Sequence, residues 1–138
     1  MTVEMCPYLH PRGSAREALA AYRRALGGEE PQVATYGDIG MGDPQVRDLV
    51  ANAALRTDVG GLLMVSDVPP GAGSPPPGSV CLSGDDEEVL RRAWEVLSEG
   101  GEVEHPLEPS PWGSLFGSCR DRWGVSWVVD VAGAGTDG

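Results

Sequence analysis

Lysine is missing from this chain of 138 residues, and all ten basic residues are arginines. Asp and Glu number 21, so the formal net charge is −11. Schiff-base catalysis and a phosphate-binding P-loop both need a lysine, so the absence of lysine excludes both. Nucleic-acid backbones and anionic membrane surfaces select clustered cationic side chains, so the composition also argues against these two partners.

Cysteine is scarce, and long apolar runs are missing. Cys6, Cys81 and Cys119 have no C-x-x-C spacing and an odd count, which disfavours a disulfide framework or a zinc ribbon. The first residues lack the cationic region and apolar run of a signal peptide, and no run approaches the ~18 apolar residues of a membrane span. We therefore expect a soluble, cytoplasmic protein whose three thiols are reduced and buried.

Two amphipathic helices stand out in what is present. The first is predicted to begin at a capping box formed by Ser14 and Glu17 and to end at Gly27. The second is predicted to begin at Asp85 with Glu88 and to end before Gly100. The arginine pairs of the two helices fall on outer faces, and we interpret them as solvated: Arg23, Arg24, Arg91 and Arg92.

The remaining apolar segments predict eight strands. They cover residues 3–10, 31–36, 49–57, 61–66, 78–83, 102–107, 114–119 and 125–131. The order is strand, helix and three strands, and the second half of the chain repeats it about seventy residues later. The sequence therefore predicts an α+β single domain of two βαβββ modules, at about 3–66 and 78–131, joined by a proline-rich linker at 67–77.

Four segments, in this order, carry a family resemblance: CPYLHPRGSAREALAAYRRALGGE, TYGD, LLMVSDVPPG and FGSCRDRWGVSWVVD. They resemble the PhnB-like branch of the vicinal-oxygen-chelate superfamily, which includes glyoxalases, bleomycin-resistance proteins and extradiol dioxygenases. The resemblance implies paired βαβββ modules whose mixed sheet forms a cup around a ligand cavity, commonly in a homodimer.

The metal-dependent members of that superfamily hold their ion at three strand positions, with His or Glu side chains. The matching positions here are Pro7 or Tyr8, then Pro77 or Gly78, and finally Val128. None supplies an imidazole or a carboxylate, so the resemblance implies the fold without the metal triad. We expect no cofactor, and a divalent metal is not supported.

The two histidines offer a different metal hypothesis. In this hypothesis His10, His105 and one carboxylate among Glu102, Glu104 and Glu108 are the ligands of one ion. Each histidine precedes a proline near a strand end, and strict alternation places His105 on the face opposite the three glutamates. Surface or capping histidines are the favoured interpretation.

The predicted ligand-binding residues come from strand faces and from an aromatic cluster. Cys6, Tyr8 and His10 share one face, which the resemblance implies to be concave. Trp112 and Phe116 open a cluster in which Trp123 and Trp127 are interpreted as core, while Trp112 fits a ligand stack or a dimer interface equally well. The predicted site is Tyr8, Tyr36, Asn52, Arg56, Met64, Trp112 and Phe116.

The sequence and the resemblance together favour binding of a small, partly aromatic organic molecule in the cup of a homodimer. The acidic charge favours a cationic ligand. No catalytic residue is identified, and whether the chain is an enzyme stays open. One alternative is a metal-dependent glyoxalase- or dioxygenase-type enzyme, and another is an interaction protein whose cup is filled by its own side chains.

Overall fold

The computed structural model describes residues 3–69, 73 and 75–133. Its first module contains β1 (Tyr8–Leu9), α1 (Ala15–Leu26), β2 (Gln32–Thr35), a short 3-10 helix (Gly37–Ile39), β3 (Val50–Arg56) and β4 (Leu62–Val65). Its second contains β5 (Ser79–Gly84), α2 (Glu87–Ser98), β6 (Glu102–Pro109), β7 (Leu115–Arg120) and β8 (Ser126–Val131). The predicted α+β order of two βαβββ units is confirmed.

Each module forms a four-stranded mixed sheet of the same topology. The strand orders are β1-β4-β3-β2 and β5-β8-β7-β6, and in both sheets the first strand runs parallel to the last. The connection from the first strand to its parallel neighbour runs through the helix and the two intervening strands, since parallel neighbours cannot be joined by a tight turn.

The helices begin where polar side chains satisfy their free N–H groups. Ser14 Oγ accepts from the N–H of Glu17 at 3.3 Å, as predicted. In the second module the cap is Asp86, whose Oδ1 accepts from Val89 N at 3.2 Å, so the predicted start at Asp85 is wrong by one residue. Both residues are aspartates, and only the backbone geometry decides which of them faces the first turn.

One face of each sheet packs against the helices, and the two modules share a core. Tyr22 of α1 is fully buried, and its hydroxyl donates to Asp121 Oδ2 at 2.6 Å, across the boundary between the modules. Trp127 Nε1 donates to the same oxygen at 2.9 Å, and the N–H groups of Trp123 and Val125 donate to Oδ1, each at 2.9 Å. Asp121 therefore has four donors and ties α1 to the second sheet. Trp127 is fully buried and Trp123 partly so, as predicted for core residues.

A second buried aspartate fixes the first module. Asp67 accepts from Ala15 N, at the start of α1, and from Val50 N, at the start of β3, both at 2.8 Å. Asp67 thus has a structural role, although it is the first residue of the predicted linker. Residues 70–72 and 74 of that linker lie outside the described residues. After it, Pro77 O accepts from His10 N at 2.9 Å, which places the end of β1 beside the start of β5.

The helices of the described residues are too short and too polar to cross a membrane. The arginines on their outer faces, at 23, 24, 91 and 92, are exposed as predicted.

Candidate functional site

We call the face of each sheet that does not pack against a helix its open face. In the first module, Leu9, Val65 and Ala53 form one row of strand partners, and all three are buried in the core. The neighbouring row, Tyr8, Met64, Ala54 and Gln32, therefore lies on the open face. Asn52 and Arg56 lie there too, since they alternate with Ala53 and Leu55.

Tyr8 is the most prominent aromatic side chain on this open face. It is 49% exposed, and its ring stacks on that of His10 with the ring centres 4.7 Å apart. Strand register places Met64 beside it. The predicted site residues Tyr8 and Met64 are therefore brought together, and the stacked pair presents a flat surface to solvent.

Tyr36 follows β2 and lies near Tyr8. Its hydroxyl donates to the backbone oxygen of Asp67 at 3.1 Å. Burial raises the pKa of Tyr36, and electrostatic interactions with Tyr8 and Asp67 raise it further. The phenol is therefore neutral at physiological pH and acts as a hydrogen-bond donor.

Arg56 forms an ion pair with the side chain of Glu4, near the N-terminus. Glu4 Oε1 and Oε2 accept from the two terminal nitrogens of Arg56 at 2.8 and 3.0 Å. This hydrogen bonding, together with the guanidinium charge, lowers the pKa of Glu4. A depression of about 620 Å³ adjoins the pair and is lined by Glu29, Glu30, Gln32, Ala54, Arg56, Thr57, Asp58 and Leu62. The depression is acidic, because Arg56 is its one cation among the lining residues.

The open face of the second module carries the other predicted aromatic residues. Trp112 is 64% exposed and meets Phe116 edge to face, with ring centres 5.2 Å apart. The His105 ring also meets Phe116 edge to face, with the ring centres 5.6 Å apart. The seven predicted site residues thus fall into two groups on different sheets: five on or next to the first open face, and Trp112 with Phe116 on the second.

The expected alternation along β6 is wrong. The strand pairing slips between Val103 and His105 and again between His105 and Glu108. The partners on β7 are Arg120 for Glu102, Ser118 for His105 and Phe116 for Glu108, which all lie on the open face. His105 Nε2 is consequently 4.0 Å from Glu108 Oε1. Two β-bulges bring together residues that simple parity separates.

Asp130 on β8 was not predicted from the sequence. Its strand partners are Ser83 and Phe116, which places its side chain on the second open face. Among the described residues no hydrogen-bond partner reaches its buried Oδ1 atom. The only sequence signal is alternation, since Asp130 lies between the buried residues Val129 and Val131.

The cysteines differ from one another. Cys119 is buried as predicted, and burial, with the charges of Asp121 and Glu104, raises its pKa to about 11. Cys6 is partly exposed and Cys81 is exposed, so the prediction of three buried thiols is wrong for these two. Cys81 alternates with the partly buried Val80 and Leu82 but points to the open face of β5, which has no helix to cover it.

The positions that correspond to the superfamily's metal ligands do not fit a metal ion. Tyr8 stacks on His10, Gly78 has no side chain and lies against Leu9, and Val128 offers only methyl groups. Nor does the described part of the chain contain a group of three His, Cys, Asp or Glu side chains that could hold an ion. The donor set of this chain is not that of the metal-dependent relatives.

Comparison with known proteins agrees with this architecture. The profile of the glyoxalase/bleomycin resistance protein/dioxygenase superfamily matches residues 8–129. The crystal structure of protein PA1353 from Pseudomonas aeruginosa superposes with a TM-score of 0.80 at 32% identity, covering 95% of this chain and 98% of that one.

Two further relatives are more distant. A Bacillus cereus PhnB protein, described as a putative 3-demethylubiquinone-9 3-methyltransferase, gives a TM-score of 0.71 at 23% identity, covering 94% of this chain and 100% of its own. Protein YjdN of Escherichia coli K12 is 26% identical over 140 residues, which cover 92% of this chain and 94% of that protein. With a family match over nearly the whole chain, this protein belongs to the glyoxalase/bleomycin resistance protein/dioxygenase superfamily.

Proposed function

We propose that this chain is a PhnB-like small-molecule-binding protein that holds a partly aromatic organic ligand on its open faces without a metal ion. One observation carries the proposal. The helices cover one face of each sheet, while the opposite faces present aromatic side chains to solvent, with Tyr8 49% and Trp112 64% exposed. Aromatic and apolar linings with a few polar groups are typical of ligand pockets.

The polar groups needed for orientation are also close by. Tyr36 lies beside Tyr8, and Asn52 occupies the neighbouring open-face position on β3. The hydroxyl of Tyr36 is occupied by the backbone of Asp67, so the amide of Asn52 is the freer polar group for a ligand. The metal-free part of the proposal is supported by the side chains at the three ligand positions, which are poor donors.

We further propose that the protein acts as a homodimer in the cytoplasm. Large exposed aromatic residues on an open sheet face mark an interaction site, and a second copy of the same chain related by two-fold symmetry is the commonest partner for such a face. Native mass spectrometry of untagged protein reports subunit number, bound metal and carried-over ligand together. A dimer without metal is expected, whereas a metal ion in stoichiometric amount supports the alternative, a metal-dependent glyoxalase- or dioxygenase-type enzyme.

The ligand itself is found by a thermal-shift screen of small aromatic compounds against protein treated with a chelator. Binding that raises the melting temperature equally with and without chelator supports the proposal. Tryptophan fluorescence then locates the ligand, because Trp112 is the exposed indole, and its quenching should disappear in Trp112→Phe. If every stabilising compound requires an added divalent metal, the proposal is wrong.

A further inference from the structure

The second open face contains a carboxylate whose hydrogen bonding is incomplete. Asp130 Oδ1 is shielded from water and has no partner among the described residues. A buried carboxylate oxygen without a donor costs free energy, so native proteins rarely leave one. Asp130 as a whole is only partly buried, so a molecule on the open face can reach the exposed part of its side chain, and Oδ1 meets that molecule once the carboxylate turns.

The surroundings of Asp130 are aromatic and acidic. Phe116 on β7 is its direct strand partner, and the partner of Phe116 on the other side is Glu108. Strand partners hold their Cβ atoms about 4.5–5.5 Å apart, so Phe116 lies between two carboxylates. The rings of Trp112 and His105 meet Phe116 at 5.2 and 5.6 Å.

Among the described residues, no cationic side chain forms an ion pair with Asp130. Arg120 lies two open-face positions further along β7, beside Ser126, and its NH2 is 3.9 Å from Glu104 Oε2. A positive charge at a position beside a carboxylate and an aromatic ring is attracted by the carboxylate, through an ion pair, and by the ring, through its quadrupole. Anions are repelled from the same position.

We propose that the second open face binds the ammonium group of a small aromatic amine, with Asp130 accepting from its N–H groups and Phe116 and Trp112 packing against its ring. This inference rests on the proposed function and names the chemical class of its ligand. Glu108 adds a second negative charge at the opposite edge of Phe116. With the carboxylate turned toward the open face, the ammonium supplies the donor that Asp130 Oδ1 lacks among the described residues.

Three probes of matched shape test the charge of the ligand: 2-phenylethylamine, 2-phenylethanol and 3-phenylpropionate. Binding is followed by ¹H–¹⁵N NMR of the Trp112 indole, assigned with Trp112→Phe, and by calorimetry. The amine should bind at least about tenfold more tightly than the alcohol, as a charge-assisted hydrogen bond implies. Asp130→Asn should remove that preference and leave the affinity for the alcohol unchanged.

Controls separate the charge effect from damage to the fold. Glu108→Gln should lower the affinity for the amine less than Asp130→Asn does. Asp48→Asn changes a side chain that is 90% exposed in the other module, and it should leave this affinity unchanged. All variants are checked by thermal unfolding.

Equal affinity for amine and alcohol overturns this inference while the proposed function stands. Tighter binding of the propionate overturns it as well, and points to the cavity of about 600 Å³ that contains Arg12 and Arg120. Binding of none of the three overturns this inference, and the thermal-shift screen then decides the proposed function separately.

Discussion

Asp121 is the residue whose hydrogen bonds join the two modules. It is 4% exposed and accepts from the Tyr22 hydroxyl, the Trp127 indole and two backbone N–H groups. All four partners are donors, so an amide at this position would turn its NH2 group toward at least one of them. Asp121→Asn should lower the free energy of unfolding by about 2–4 kcal/mol.

Urea denaturation followed by far-UV circular dichroism measures this loss. Asp48→Asn makes the same chemical change at an exposed side chain and should stay within about 0.5 kcal/mol of the parent. Equal midpoints for Asp121→Asn and the parent protein would show that Asp121 does not join the modules as described.

Thiol reactivity is a second property of single residues. Cys81 is exposed, whereas Cys119 is buried and has a pKa raised to about 11. The thiolate is the reactive form, so at pH 8 iodoacetamide should label Cys81 in the folded protein and reach Cys119 only after unfolding. Peptide mass spectrometry after timed labelling compares the two sites. Labelling of Cys119 as fast as Cys81 in the folded protein would contradict its burial.

At the scale of elements, two adjacent aspartates at the beginning of α2 have different roles. Asp86 caps the helix through Val89 N, and Asp85 precedes it in an exposed position. Asp86→Ala should cost about 1 kcal/mol of stability, and Asp85→Ala, its matched control, a few tenths at most. Thermal and urea unfolding of the two variants decide between them. A larger loss of stability for Asp85→Ala than for Asp86→Ala would show that Asp85 caps the helix, as the sequence predicts.

Much of each element follows from local sequence, and the failures have physical causes. Helical periodicity and glycine stops locate α1 and α2 because an amphipathic face must meet a core. The first strand is shorter than the predicted 3–10: only Tyr8 and Leu9 have strand partners on β4, and Pro7 has no N–H to donate. Strand β6 extends to Pro109 through two prolines, which an edge strand tolerates.

The candidate site is less accessible to sequence reasoning than the fold. Alternation places Tyr8, Asn52, Arg56 and Met64 on one face, because a strand's side chains change sides at every residue. The same rule fails for His105, since nothing in the sequence marks the bulges of β6. The pairing of Arg56 with Glu4 depends on a contact between distant residues. The lack of a partner for Asp130 Oδ1 among the described residues likewise follows only from the folded structure.

At the scale of the whole molecule, the two modules repeat one topology but present different open faces. The first offers the Tyr8–His10 stack next to an acidic depression, and the second offers Phe116 between two carboxylates. The repeated scaffold thus supports two chemically distinct surfaces. Its net charge of −11 favours cations at long range on both of them.

The central claim is that a small aromatic molecule binds the open faces without a metal ion. Calorimetric titration of chelator-treated protein with the most stabilising compound of the thermal-shift screen tests it most directly. We predict saturable binding that is unchanged by added zinc, nickel or manganese and weakened at least about tenfold by Tyr8→Ala or Phe116→Ala, whichever face is used. Binding that appears only when one of these metals is added would contradict the account.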